Sequence, residues 1–205
     1  NVKRFVYASS SSVYGDEPTL PKQEDRIGNC LSPYAVSKRV NEMYAKVFAD
    51  VYKIPVIGLR YFNIFGPRQD PNGPYAAVIP LFVKGIINKT PVYINGDGEQ
   101  TRDFTFVENA VQVNVKAMLT DNEEALNKIY NVAVGENFSV NAVYDAVKKY
   151  LQMEHTPTYR EPRASDIRNS LADISLAKKL LSYKPTTKFD DGLVTTIEYF
   201  KKLYS

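Results

Sequence analysis

A strand, helix and strand near the start of the chain most constrain its fold. Residues 2–8 and 54–61 are apolar and rich in β-forming side chains, which predicts two strands. Between them, Ser32 supplies a helix N-cap and Pro33 a first helical residue, so we predict a helix over Pro33–Tyr52. Its apolar residues recur with helical spacing at Val36, Val40, Met43, Val47 and Val51. Strand, helix and strand in this order predict a parallel βαβ unit and an α/β fold.

Further strands and helices are expected along the rest of the chain. Apolar runs and turn signals predict strands at 92–95, 101–106, 129–134 and 158–160, and helices at 78–87, 106–119, 140–151, 175–181 and 192–204. A loop rich in glycine and proline follows residue 66. We therefore expect residues 1–66 to form one domain, with some later segments returning to it, and residues 67–205 to form mainly a second.

Composition excludes several classes of partner. The 26 basic and 23 acidic residues are dispersed and give a net charge of only +3, so we do not expect nucleic acid to bind. A single cysteine, Cys30, rules out an internal disulfide, and with one histidine, His155, we expect no metal site. No apolar run approaches the roughly 20 residues of a membrane span. The opening residues read as a strand and not as a signal peptide, so we expect a soluble, cytoplasmic protein.

Tyr34 and Lys38 form the first candidate site. They lie four residues apart on the predicted helix and therefore share one of its faces. A lysine ammonium beside a phenol favours the phenolate, which can act as a general base on a sugar hydroxyl. Taken alone, such a pair is more often an ordinary surface contact, so its meaning depends on what surrounds it.

A serine cluster before the helix supplies that context. Ser10, Ser11 and Ser12 follow the first strand, at the edge where ligands bind in open parallel sheets. Together with Tyr34 and Lys38 they resemble the extended short-chain dehydrogenase/reductase family of NAD-dependent epimerases and dehydratases. The resemblance implies a partial Rossmann-like parallel sheet, the C-terminal part of an NAD-binding domain, with a smaller α/β substrate-binding domain. It also implies a catalytic trio of Ser10, Tyr34 and Lys38, the last two of which would contact NAD.

The stretch from Gly58 to Arg68 extends this resemblance. By that likeness Tyr61 and Phe62 lie against the nicotinamide, and Asn63 binds the sugar nucleotide. Plain core packing is an equally good interpretation of Tyr61 and of Phe62.

The substrate-binding residues are likewise implied by resemblance. Residues 69–80 look like the subgroup that acts on UDP-N-acetylglucosamine and its acid derivatives, and residues 163–170 match the family's second nucleotide-binding segment. The implied contacts are Ser11 and Ser12 with the sugar, Ala77 and Val78 with the nucleotide, Tyr93 and Asn95 with the uracil, Arg102 and Arg163 with phosphates, and Asp166 with the ribose. A small residue at Ser170 leaves room for an N-acetyl group. Considered alone, Arg163 and Asp166 fit a surface salt bridge better than a binding role.

The implied reaction is 4-epimerisation of a UDP-hexose, which interconverts UDP-N-acetylglucosamine and UDP-N-acetylgalactosamine through a 4-keto intermediate and serves polysaccharide biosynthesis. Alternatives are a UDP-glucuronate or UDP-glucose 4-epimerase, or a non-catalytic module that binds nucleotide sugars. The related dehydratases carry an Asp-Glu pair where this chain has serines, which argues against water elimination. The family also implies that an intact member forms a homodimer through the helix that carries Tyr34 and the helix before it. The latter has no counterpart in this sequence, so dimerisation of this chain is left open.

One family feature has no counterpart in this sequence. The glycine-rich turn that receives the cofactor's pyrophosphate at a helix N-terminus is not found, nor is the acidic residue for the adenosine ribose. The resemblance covers nearly all of this chain but about two-thirds of a family member. We therefore expect that the chain starts within a domain and, by itself, binds NAD weakly; whether it is active alone is left open.

Overall fold

The computed structural model describes residues 2–71, 78–162 and 167–204, which form a mixture of strands and helices. The strands are β1 (Phe5–Ser10), β2 (Val56–Tyr61), β3 (Ile64–Phe65), β4 (Tyr93–Asn95), β5 (Thr101–Arg102), β6 (Thr105–Phe106), β7 (Lys128–Val132), β8 (Phe138–Ser139) and β9 (Thr158–Arg160). The helices are α1 (Pro33–Tyr52), α2 (Val78–Ile87), α3 (Val107–Leu119), α4 (Val140–Leu151), α5 (Ser175–Leu181) and α6 (Phe189–Tyr204). A 3₁₀ turn over Ser11–Tyr14 directly follows β1.

The largest sheet of the described chain has three parallel strands in the order β1-β2-β7. β1 and β2 pair along their whole length, and α1 connects them, so the predicted parallel βαβ unit and the α/β fold are confirmed. β7 pairs with the other side of β2, which leaves β1 at an edge. The carboxyl ends of all three strands therefore meet at one edge of the sheet, where ligands of such sheets bind.

Helix α1 has the predicted bounds, because Ser32 caps it and Pro33 opens it. The Ser32 Oγ atom accepts a hydrogen bond from the Ala35 amide at 3.1 Å. The face turned to the sheet carries Ala35, Glu42, Ala45 and Ala49. The apolar stripe that predicted the helix lies on the opposite side, with 39 to 62% of each side chain exposed: Val36, Val40, Met43, Val47 and Val51. The periodicity therefore identifies a helix whose apolar stripe is not its core face.

Two large hydrophobic clusters form most of the described interior, and a third, small one joins α1 to the sheet through Ala45, Ala49 and Val56. The first surrounds the three-stranded sheet and includes Ile57 and Leu59 of β2, Val113 of α3 and Leu181 of α5. The second is built by α2, α4 and α6, and a group of aromatic rings lies at its centre: Phe65, Phe82, Phe104, Phe106, Phe189 and Phe200. Segments after residue 67 thus contribute to the first cluster as well, and the division at residues 66 and 67 stays a prediction.

Predicted and observed elements differ most at three places, while the other bounds differ by two residues or fewer. The first strand covers Phe5–Ser10 and not residues 2–8, because the Ser9 hydroxyl finds a buried partner in Glu42 and Ser10 accepts from the Ser12 amide of the following turn. Residues 101–106 form two short strands, β5 paired with β8 and β6 with β3, separated by the buried Asp103. The last helix begins at Phe189 and not at residue 192, because Phe189 is part of the second cluster.

Two further findings concern the described part of the chain only. No helix within residues 2–71, 78–162 and 167–204 combines the length and apolar character that a membrane crossing requires. The same residues contain no group of three or more histidine, cysteine, aspartate or glutamate side chains placed to hold a metal ion.

Candidate functional site

The end of β1 bends into the 3₁₀ turn through Ser10. Its Oγ atom accepts a hydrogen bond from the Ser12 amide at 3.2 Å, which caps the turn. A hydroxyl used as an acceptor still keeps its hydrogen to donate. Gly15 ends the turn with a φ of +56°, and a Cβ there would lie 1.7 Å from the Asn29 carbonyl oxygen. The turn thus requires glycine at that position and fixes Ser10 at the sheet's carboxyl edge.

The Ser11 and Ser12 side chains belong to this turn and are partly buried. The Ser12 hydroxyl oxygen is shielded from solvent and has no hydrogen-bond partner within the described residues. Buried hydroxyls normally have such partners, so this atom has unused hydrogen-bonding capacity beside Ser10.

The first turns of α1 bring Tyr34 and Lys38 to the same edge of the sheet. The Lys38 Nζ atom lies 5.7 Å from the centroid of the Tyr34 ring and donates a hydrogen bond to the Ala8 carbonyl oxygen at 3.3 Å. Tyr34 keeps 39% of its surface exposed. Since Ala8 lies two residues before Ser10 on β1, the lysine ammonium connects the tyrosine to the strand that ends in the serine cluster.

The residues at and after the end of β2 differ in their exposure to a ligand. The Asn114 side-chain amide donates to the Tyr61 hydroxyl oxygen at 2.7 Å, and burial raises the pKa of the Tyr61 phenol. Phe62 is 1% exposed and packs against the Tyr14 ring, with centroids 6.1 Å apart, so its surroundings are those of a core residue. Asn63 is exposed. Of the three, Asn63 is therefore the most accessible to a ligand.

A separate cleft of about 490 Å³ lies at the ends of β4 and β9. Its lining residues are Asn95, Gly96, Asp97, Gln100, Arg160, Glu161, Pro162 and Arg168. Beside it, the Arg160 guanidinium stacks over the Tyr93 ring at 3.0 Å from the centroid. Of the two predicted uracil contacts, Asn95 lines the cleft, and Tyr93 contacts Arg160, which lines it. Sequence reasoning assigned no role to Arg160 or Arg168, although Arg168 lies within the predicted nucleotide-binding segment 163–170 and Arg160 lies just before it.

An ion pair stands at this cleft. The two Arg168 Nη atoms donate to the two carboxylate oxygens of Asp97 at 2.7 and 2.9 Å. The hydrogen bonds from Arg168 lower the pKa of Asp97 to about 2. The carboxylate is therefore ionised at neutral pH, and one of the cleft's cations is already balanced within the protein.

Arg102 and Ser170 lie together beside Thr101. The Ser170 amide donates to the Thr101 carbonyl oxygen at 3.1 Å, and Arg102 donates to the same oxygen through Nη1 at 2.7 Å. Ser170 is almost completely buried. Val78 opens α2 and packs against the second hydrophobic cluster. The remaining predicted contacts, Ala77, Arg163 and Asp166, lie outside the described residues.

Two buried carboxylates near these sites carry no sequence motif. Asp103 accepts backbone hydrogen bonds from Val134 and Gly135 at 3.1 and 3.0 Å, and burial raises its pKa to about 6. Glu42 lies on α1 one turn beyond Lys38 and accepts from the Arg60 Nε atom at 2.8 Å and the Ser9 hydroxyl at 2.6 Å. No pattern in the sequence links these partners, since they are far apart along the chain.

Sequence comparisons relate this chain to a family of known proteins. Residues 1–133 match the model of the NAD dependent epimerase/dehydratase family. A putative UDP-glucose 4-epimerase from Methanocaldococcus jannaschii is 36% identical over 203 residues, which cover 98% of this chain and 64% of that protein. The chain thus spans somewhat less than two-thirds of the length of this relative.

Solved structures agree in fold. A UDP-N-acetylglucosamine 4-epimerase from Methanobrevibacter ruminantium, solved with UDP-N-acetylmuramic acid, superposes with a TM-score of 0.92 at 39% identity, covering 98% of this chain and 64% of that one. A UDP-glucuronic acid 4-epimerase from Bacillus cereus, solved with UDP-glucuronic acid and NAD, gives a TM-score of 0.92 at 32% identity over 100% of this chain and 63% of that one.

Proposed function

Because the chain belongs to the NAD-dependent epimerase/dehydratase family, we propose that it serves the NAD-dependent 4-epimerisation of a UDP-hexose. The observation that carries this proposal is the position of the Lys38 ammonium, 5.7 Å from the Tyr34 ring centroid and hydrogen-bonded to Ala8 of the strand that ends in Ser10. Such an arrangement combines a phenol, a cation that stabilises its phenolate and a hydroxyl donor at one edge of a parallel sheet.

The residues present fit the nicotinamide and ribose end of NAD. Tyr34 is open to solvent, and Lys38 lies at the carboxyl edge where dinucleotides bind in parallel α/β sheets. Bound NAD would supply the acceptor for a hydride from C4 of the sugar and the donor for its return to the opposite face. In this proposal Tyr34 and Lys38 hold the nicotinamide ribose.

The protein's own groups handle the proton. Tyr34, as the phenolate, removes the proton from the sugar's 4-hydroxyl, and Lys38 stabilises the negative charge on the phenolate. Ser10 donates a hydrogen bond to the 4-oxygen. Its hydroxyl hydrogen is available for this because Ser10 Oγ only accepts in the cap of the 3₁₀ turn. Reprotonation of the 4-oxygen by Tyr34 after the hydride returns completes the cycle with no net change in the residue.

The substrate we propose is UDP-N-acetylglucosamine. Support comes from the small buried side chain of Ser170 and from the related Methanobrevibacter ruminantium enzyme of that name. The stacked Arg160 and Tyr93 pair and the neighbouring cleft would take the uracil, with Arg102 and Arg163 on the phosphates. UDP-glucose and UDP-glucuronate are the alternative substrates, because other relatives carry those names.

We also propose a homodimer in which α1 lies in the interface. Five apolar side chains of this helix are 39 to 62% exposed and form one stripe, which is more apolar surface than a solvent-facing helix normally shows. The stripe therefore supports a protein partner on this face of α1.

The test is an epimerisation assay with each of the three UDP-sugars and excess NAD, followed by proton NMR. The proposal predicts that UDP-N-acetylgalactosamine forms from UDP-N-acetylglucosamine faster than the other two epimers form. Turnover of only UDP-glucose or UDP-glucuronate would keep the reaction and replace the substrate. Binding of UDP-sugars without turnover of any would favour a non-catalytic nucleotide-sugar-binding module.

A further inference from the structure

A row of three buried polar side chains crosses the main sheet. Ser9, Arg60 and Asn131 are in register on β1, β2 and β7, and each is the penultimate residue of its strand. All three are almost completely buried. Polar residues are rare in the middle of a parallel sheet, because burying them requires a full set of partners. The next residues in the same strands include Ser10 and Tyr61 of the candidate site.

Glu42 joins this row to the helix that carries Tyr34 and Lys38. Its Oε1 atom accepts from Ser9 Oγ at 2.6 Å and from Arg60 Nε at 2.8 Å. Its Oε2 atom accepts from Arg60 Nη2 at 3.0 Å and from Arg39 Nη1 at 2.9 Å. Glu42 follows Lys38 by four residues and Tyr34 by eight, so the three share one helix face. One carboxylate thus holds the helix to β1 and to β2 at once.

The other end of the row reaches the segment that carries Ser170. The Tyr14 hydroxyl donates to Asn131 Oδ1 at 2.6 Å, and Asn131 Nδ2 donates to the carbonyl oxygens of Lys22 and Asp173 at 2.8 and 3.0 Å. Lys22 also pairs through its backbone with the chain around Ala172. The Arg60 guanidinium lies 4.9 Å from the Tyr14 ring centroid and so links the Glu42 contacts to the Asn131 contacts.

We propose that Glu42 is a positioning residue, which through Ser9 and Arg60 sets Tyr34 and Lys38 at the distance from Ser10 that proton transfer requires. This inference rests on the proposed 4-epimerisation. The network satisfies both oxygens of Glu42 with directed donors from two strands, so the helix has one lateral position relative to the end of β1. Hydrogen-bonded side chains of this kind hold reacting groups in place, and an error of about 1 Å in such placement can cost about 100-fold in rate.

The test compares Glu42→Gln with a matched structural control. Glutamine keeps the size of the side chain but offers one oxygen and an amide that faces the Arg60 donors, so the bidentate pair is lost. The control is Asn109→Ala on α3, which removes part-buried hydrogen bonds to Thr186 and Thr187 that involve no residue of the row. Both variants are assayed with UDP-sugar and excess NAD at a temperature where each is folded.

The expected result is a kcat lowered about 10- to 100-fold in Glu42→Gln with the KM for the UDP-sugar within about 3-fold of the wild-type value, because the nucleotide contacts remain intact. Asn109→Ala keeps the wild-type kcat. A Glu42→Gln variant that retains kcat, or loses no more than the control, would overturn the proposal.

Hydrogen exchange separates this proposal from the failure of the reaction itself. If the wild-type chain turns over no UDP-sugar, the proposed function fails, and exchange decides whether Glu42 positions these segments. In Glu42→Gln, the amide hydrogens of residues 9–14 and 34–38 are then expected to exchange about 10-fold faster than in the wild type, while the exchange rates in α4 stay unchanged. Equal acceleration in all helices would show a general loss of stability and would contradict a positioning role.

Discussion

Glu42 on α1 and Arg60 on β2 form a two-point ion pair inside the protein, with side chains that are 1% and 0% exposed. Neither residue belongs to a recognisable motif, yet together they join the candidate catalytic helix to the centre of the sheet. A buried ion pair adds little net stability to a fold, because both charges must be desolvated. Removing one partner is nevertheless strongly destabilising, because the other charge then stays buried without a counter-charge.

Replacement of Glu42 by alanine tests that cost. We expect Glu42→Ala to lower the free energy of unfolding by about 3 to 5 kcal/mol in urea titrations, since Arg60 loses its counter-charge. The matched control is Asp50→Ala, which breaks an exposed pair with Lys46 on the same helix and is expected to cost less than about 1 kcal/mol. Equal losses of unfolding free energy in the two variants would show that the buried pair stabilises the fold no more than the exposed pair does.

The same pair predicts a pH dependence. Burial by itself raises the pKa of Glu42. The hydrogen bonds and the positive charge of Arg60, together with hydrogen bonds from Ser9 and Arg39, outweigh burial and lower that pKa below its ordinary value. A carboxyl with a lowered pKa in the folded state stabilises the protein above its unfolded pKa of about 4.3, and the contribution is lost as pH falls through the folded value.

Thermal unfolding between pH 7 and pH 3 measures this contribution. We expect the difference in unfolding free energy between the wild type and Glu42→Gln to be largest above pH 4.5 and to shrink as the pH falls further. A difference that stays constant down to pH 3 would mean that ionisation of Glu42 does not stabilise the fold.

The 3₁₀ turn beside Ser10 depends on Gly15. We expect Gly15→Ala to lower the free energy of unfolding by more than about 2 kcal/mol, because it combines a left-handed backbone with a methyl group placed 1.7 Å from a carbonyl oxygen. The control is Gly96→Ala, where φ is +69° but the nearest heavy atom would be 3.8 Å away, so a cost of about 1 kcal/mol is expected. A smaller loss for Gly15→Ala than for Gly96→Ala would refute this account of the turn.

The exposed stripe of α1 predicts an oligomeric state. Sedimentation velocity is expected to show a dimer for the wild type and a monomer for Val47→Glu, because the substitution buries a charge in the proposed interface. Val111→Glu on α3, which replaces a valine of similar exposure on a different helix, is expected to remain a dimer. A wild-type monomer, or a dimer that persists in Val47→Glu, would exclude α1 as the interface.

Helices with clear boundary signals were predictable from the sequence. Pro33–Tyr52, Val78–Ile87 and Val140–Leu151 have the expected bounds, and the parallel pairing of β1 with β2 follows from the helix between them. These elements are predictable because caps and hydrophobic periodicity are local properties of the chain.

Features that depend on distant partners were not predictable. The sequence did not show that Ser9 and Ser10 continue β1, because the partner that satisfies Ser9 is Glu42 on the following helix. It did not reveal Arg160, whose guanidinium meets the Tyr93 ring only when β4 pairs with β9. The family motifs predicted Tyr34 and Lys38, but Glu42, Ser9 and Arg60 beside them have no local signature in the sequence.

The measurement that tests the central claim most directly is the epimerisation rate of Tyr34→Phe beside the wild type, with UDP-N-acetylglucosamine and excess NAD, followed by proton NMR. Phenylalanine keeps the ring beside Lys38 and removes only the hydroxyl that would carry the proton. The account predicts a kcat lowered by about 100- to 10,000-fold, with UDP-sugar affinity within about 3-fold of the wild-type value. A Tyr34→Phe variant that epimerises at the wild-type rate would contradict it.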